Sequence, residues 1–163
     1  MNIVITITTH QWNLIREGKA TAILERDIPT RFDITKDVVY LCVKTTHMVV
    51  GYLSRVTFDY WNANPWIRKS NPHVSTPPEY SDDDESQKIG KRIGVSYRWV
   101  QRFSPLRSLL IVWKFEEVYV LENPLLVRVV LPFRRRGPKR FSYTTAFLPT
   151  IIEYSHNPNF RLP

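Results

Sequence analysis

The first residues alternate β-branched and polar positions: "NIVITI", Asn2 to Ile7, has the period of a strand. Thr8 or Thr9 then caps a short helix over "HQWNLIREG", in which Trp12 and Ile15 share a face and Gly18 is placed as the stop. "ATAILER" reads as extended and "RDIPTRFDITKD" as a loop. "VVYLCVKTTHMVVGYLSRVTFDYW" is the clearest β signal, two apolar runs flanking the turn "KTTH" as a hairpin, with Gly51 marking a bulge or a close backbone approach. "NANPWIRKSNPHVSTPPEY" has turn chemistry throughout.

Further along, Ser81 caps a helix whose first turn holds Asp82, Asp83 and Asp84. Lys88, Lys91 and Arg92 fall in its last turn and Gly94 ends it, so both ends match the helix dipole. That capping accounts for the acidic run better than a metal site does. Ser96 caps a second short helix, "YRWVQRF". "SLLIVWKFEEVYVLENP" is a strong strand region, "LLVRVVLPF" reads as one more strand, "RRRGPKRF" as a basic turn, and "SYTTAFLPTIIEYSH" as a short helix or strand. Helices are expected near 9–17, 82–92 and 97–103. Strands interleaved with a few short helices give an α+β domain around a small, curved or closed, mostly antiparallel β-barrel.

Composition adds a partner class. The 163 residues suffice for one domain, and the 43% hydrophobic fraction excludes a disordered chain. A formal net charge of +8 suggests a polyanion as partner. The charge is concentrated: Lys88 to Arg140 holds 13 lysines and arginines against three acids, a net +10 that exceeds the whole chain. Within it "FRRRGPKRF" brackets Arg134, Arg135, Arg136, Lys139 and Arg140 with Phe133 and Phe141, and Arg98 and Arg102 share a helix face at i, i+4. Cations with aromatics between them hold single strands through phosphate attraction and base stacking; the plain alternative is a solvated basic loop. Trp12, Trp99 and Trp113 read as core, whereas Trp61 and Trp66 are candidates either for a base-stacking wall or for packing under a loop.

Cys42, the single cysteine, sits in an apolar run as a small buried hydrophobe. The histidines at 10, 47, 73 and 156 lack ligand spacing, so no metal is expected. No stretch is apolar enough to span a membrane, and the N-terminus lacks signal-peptide form, so the expectation is a cytoplasmic protein without a membrane partner.

Three passages together resemble the ASCH branch of the PUA-like superfamily. They are the helix followed by "GKATAILER", the hairpin "DVVYLCVKTTHMVVGYLSRV", and "IGKRIGVSYRWVQRFSPLRSLLIVWKFEEVYVLENPL"; the late "GPKRFSYT" is also similar. The resemblance implies a single PUA-like domain over 1–163, with a basic C-terminal extension from about 131. It also implies a cleft beside Lys19–Arg26 and RNA or a modified nucleobase as ligand. Lys19, Thr21 and Arg26 are the expected cleft residues, with Glu25 adjacent to Arg26 and so on the opposite face of a regular strand.

Some ASCH-type proteins resemble amidohydrolases of acylated cytidines, in which a lysine, a threonine and a glutamate act together. Lys19, Thr21 and Glu25 are the corresponding candidates here. The family's glutamate precedes the second short helix, and this chain has no acid between Glu85 and Glu116. The expectation is therefore a binding domain for RNA or another single-stranded nucleic acid, leaning away from an enzyme and implying no cofactor. A nucleoside amidohydrolase or ribonuclease is the alternative, and a protein-interaction adaptor the second alternative.

Overall fold

The computed structural model describes residues 1–62, 91–92 and 109–157. The first alternating run forms β1 (Asn2–Ile7), and α1 (Thr9–Arg16) follows. Thr8 and Gln11 start the helix as a reciprocal capping box: the Gln11 amide donates to the Thr8 hydroxyl oxygen at 3.0 Å, and the Thr8 amide to Gln11 Oε1 at 2.9 Å. Gly18, at φ 75°, makes the left-handed turn beyond the helix. Then come β2 (Ala22–Glu25), β3 (Val39–Val43), β4 (Met48–Ser54), β5 (Thr57–Asn62), β6 (Leu109–Lys114), β7 (Glu117–Leu126), β8 (Ser142–Thr144) and α2 (Leu148–His156). Packing divides the chain into two compact units.

Unit 1 comprises Met1–Arg16, Pro29–Val56 and Phe115–Pro163. Its sheet has the order β7-β4-β3-β1-β8. β1 lies parallel to β3, with Ile3 opposite Val39 and Thr6 opposite Cys42. Every residue of β3 is buried, as are Ile3, Val4, Ile5 and Ile7 of β1. Strands buried on both faces read as continuous apolar runs, which is the pattern of "VVYLCV". Val4, Tyr40, Cys42 and Val49 form one core with Val127, Val130, Leu131 and Ile151 from the C-terminal third. That third is woven into the unit: β8 pairs with β1, and Asn123 and the Ser155 hydroxyl of α2 exchange hydrogen bonds at 2.9 Å.

Unit 2 comprises Glu17–Ile28 and Thr57–Lys114, with the sheet order β2-β6-β5. Trp113 is its buried centre; its indole N–H donates to the Asp27 carbonyl at 3.2 Å, and Phe58 meets the ring edge-on at 5.3 Å.

The structure is mixed α+β, and three sequence expectations need correction. Neither described sheet closes into a barrel: β7 and β8 are edges of the first, β2 and β5 of the second. The pairing of the described strands is otherwise antiparallel, as expected, with β1–β3 the exception. The run from Met48 onward is not one strand, because Arg55, at φ 52°, breaks it into β4 and β5, which belong to different sheets. "LLVRVVLPF" is not a strand beyond Leu126: Val127–Val129 is a 3-10 turn. Val127, Val130 and Leu131 are buried at spacings of three and four, so core packing overrides the β-branched preference. Of the expected helices, the first is α1. Lys91 and Arg92 are helical, and the remainder of 82–92 and all of 97–103 lie outside the described residues.

Candidate functional site

The basic turn acquires a definite position in unit 1. Thr6, in β1, donates its hydroxyl to the Pro138 carbonyl at 2.7 Å. The Gly137 amide donates to Nδ1 of His47 at 3.4 Å. Gly137 rests on the Thr6–Cys42 pair so closely that a Cβ there would overlap the Thr6 hydroxyl and lie 2.9 Å from the Cys42 sulfur. Pro138 is buried, while Arg134, Arg135, Arg136, Lys139 and Arg140 on either side of it are exposed. Glycine and proline thus press the loop's middle onto the sheet and leave its cations outside. Cys42 beneath is fully buried, and burial pushes its thiol up to about 11.

Together these groups enclose an open pocket of about 1140 Å³, somewhat above the roughly 300–1,000 Å³ of ordinary small-ligand sites. One wall is the loop Arg134–Ser142. The other comes from the end of β1 and the start of α1 (Thr6, Ile7, Thr8, Gln11) and from the β3–β4 turn (Lys44, His47). Six permanent cations line it, and among the described residues no carboxylate does. Among the described residues, Lys44, Arg134, Arg135, Arg136 and Lys139 have no ion-pair partner. Like charges this close repel, so the site favours an anion. Phe141 lines the pocket and meets Tyr143 edge-on at 5.6 Å; Phe133, one residue before the arginines, is fully exposed.

The structure gathers all five cations expected from "FRRRGPKRF" at one pocket. Sequence reasoning missed Thr6, Thr8, Gln11, Lys44 and His47, which reach it through the long-range β1–β3 pairing. The one local signal among them was the Thr8-x-x-Gln11 capping box. Lys19, Thr21, Glu25 and Arg26 belong to unit 2. Lys19 pairs with Glu17 at 3.2 Å, and the Thr21 amide donates to the Arg92 carbonyl at 2.7 Å. The side chains of Lys19, Thr21 and Arg26 are exposed, and Glu25, half-buried, ends β2 opposite Ile111. Trp61 lies within β5 opposite Leu110. Arg98, Arg102 and Trp66 lie outside the described residues. Among the described residues no three histidine, cysteine or acidic side chains gather as metal ligands, and no helix is long and apolar enough to cross a membrane.

No family model and no curated protein matches the sequence. Solved structures do match the fold. The ASCH protein of Zymomonas mobilis aligns with a TM-score of 0.64 at 12% identity, covering 94% of each chain. A serine-to-alanine variant of it aligns with a TM-score of 0.67 at 11% identity, over 94% of this chain and 95% of that one. The chain has an ASCH-type fold. A tyrosine-to-phenylalanine variant of the same bacterial protein aligns at 0.57 and 12% identity, over 93% and 96%. At such identities the ASCH-type likeness concerns backbone architecture, so the chemistry of this chain rests on its own side chains.

Proposed function

We propose that this chain binds single-stranded nucleic acid, RNA foremost, through the basic pocket of unit 1. The observation that carries the reading is the wall of six cations, with no carboxylate among the described lining residues, next in the chain to the fully exposed Phe133. Cations draw the phosphates, and an aromatic face at their margin stacks an unpaired base. The PUA-like resemblance favours RNA over DNA. Phosphate contacts alone carry no sequence information, so any base preference comes from other groups.

The test is RNA affinity across a salt series for the wild type and for a variant with Arg134, Arg135 and Arg136 all changed to Ala. The variant should bind every single strand more weakly, and its salt slope should flatten by about 0.7 per lost contact. Full affinity with the wild-type slope would reduce the loop to a solvated surface. Salt-insensitive capture of a protein partner would replace the reading with the adaptor role. Turnover of an N4-acylated cytidine, lost in Lys19→Ala, would replace it with the hydrolase.

A further inference from the structure

Three neutral side chains of the pocket wall, Thr8, Gln11 and His47, each keep a donor for a ligand. The Thr8 hydroxyl oxygen accepts from the Gln11 amide, which leaves the hydroxyl proton to be donated. Gln11 Oε1 accepts from the Thr8 amide, which leaves the side-chain NH₂. His47 Nδ1 accepts from the Gly137 amide, which leaves Nε2 as the ring's donor position. Each of these three residues thus has an acceptor engaged by a backbone N–H and keeps a donor for a ligand, whereas the Thr6 hydroxyl has given its proton to the Pro138 carbonyl. Lys44 and the five cations of the loop are donors without acceptor capacity.

Six cations and three further donors suit a group that is rich in acceptors and negatively charged. Most nucleobase edges present donors as well as acceptors, and the acceptor-only N7/O6 edge of guanine brings no charge to set against six cations. An internal phosphodiester is an acceptor but carries a single charge against six. A terminal phosphate carries close to two charges at neutral pH and three acceptor oxygens, and a diphosphate carries more. We infer that the pocket is a receptor for a terminal phosphate or diphosphate group, whether on the end of a strand or on a free nucleotide. The strand form rests on the nucleic-acid reading above; the free-nucleotide form does not.

The test uses the full chain and one short single-stranded RNA of fixed sequence, prepared with a 5′-phosphate, with a 3′-phosphate, or with hydroxyls at both ends. Competitors are ADP, inorganic pyrophosphate and adenosine at matched ionic strength. One phosphorylated strand should bind about tenfold or more tighter than the hydroxyl-ended strand, the worth of one or two charge-assisted hydrogen bonds. ADP and pyrophosphate should displace it and adenosine should not. Gln11→Glu preserves the acceptor that caps α1 and replaces the donating NH₂ with a carboxylate oxygen. It should keep the wild-type melting temperature while abolishing the preference for phosphorylated ends. If that variant fails to fold, Lys44→Ala, on the exposed turn, should reduce the preference.

Preference for a phosphorylated strand well beyond ADP assigns the strand end, and equal affinity for ADP assigns the free nucleotide. Displacement by ADP without binding of any strand removes the nucleic-acid reading and keeps this receptor. Equal, salt-dependent binding of all three strands, undisturbed by ADP or pyrophosphate, overturns the receptor and keeps the nucleic-acid reading. Binding of neither strand nor ADP overturns both.

Discussion

The indole of Trp12 occupies the space that a side chain on Gly51 would need: its Cη2 atom is 2.8 Å from the ideal Cβ position, and the Tyr119 carbonyl is closer still. Helix α1 therefore seats its anchor on the one residue of β4 without a side chain. The register of β4 against β7 shifts between Val49 and Gly51, a bulge at the same place. Gly51→Ala should move the ring or the strand and lower stability by about 1–3 kcal/mol, the usual range for overpacking. Urea unfolding measures it, and an unchanged midpoint would show that the Trp12 contact yields freely.

The seat of Trp12 was readable in part, because a glycine inside an apolar run signals a bulge or a close approach. β1, α1 and the β3–β4 hairpin were legible for the same reason: β-branched alternation, a cap and a turn are local signals. Failures came where distant residues decide. Nothing near Ile3 shows that it pairs in parallel with Val39, the one exception to the expected antiparallel pairing among the described strands. The Val127–Leu131 run has strand composition, and its helical spacing becomes telling only against the core it fills. In the candidate site the loop's charge was legible, whereas Lys44 and His47 looked like ordinary turn residues until the β1–β3 pairing set them opposite the loop.

Glu117 gives a pH dependence with a definite sign. Its carboxylate accepts from the Ser54 hydroxyl at 2.6 Å and the Tyr119 hydroxyl at 2.7 Å, and Arg55 lies 3.5 Å away. The Ser54 bond first, the Tyr119 bond next and then the Arg55 charge hold its carboxyl below the usual carboxylate range. A depressed folded-state value contributes stability above the unfolded value, about 4.3 for a glutamate, and that contribution is lost as pH falls through the folded value. Urea midpoints of the wild type should thus decline on acidification below about pH 4.3, and Glu117→Gln should decline less over that window. Parallel declines would mean that the two hydroxyls contribute nothing to the charged form.

Phe133 tests stacking separately from charge. It is fully exposed, so Phe133→Ala should leave the melting temperature unchanged. If a base stacks on it, affinity for single-stranded RNA should fall by about 1–3 kcal/mol. The salt slope should remain that of the wild type, because no phosphate contact is lost. Equal affinity would confine binding to the cations.

Gly137 and Cys42 provide a chemical reporter of the loop. The thiol is buried beneath the glycine, and burial raises its value to about 11, so labelling by a thiol reagent requires the loop to lift. Gly137→Ala cannot retain the present approach, since the added methyl group would meet the Thr6 hydroxyl and the Cys42 sulfur. The loop should rise, the Thr6–Pro138 and Gly137–His47 hydrogen bonds should weaken, and Cys42 should label at least several-fold faster than in the wild type. An anion held between Lys44 and the loop should slow labelling of the wild type by favouring the closed arrangement, and should do so less in the variant. The measurement is the labelling rate with and without pyrophosphate at constant ionic strength. If Gly137→Ala labels at the wild-type rate, the loop accommodates the methyl group in place, and its docking on the Thr6–Cys42 pair does not control the pocket.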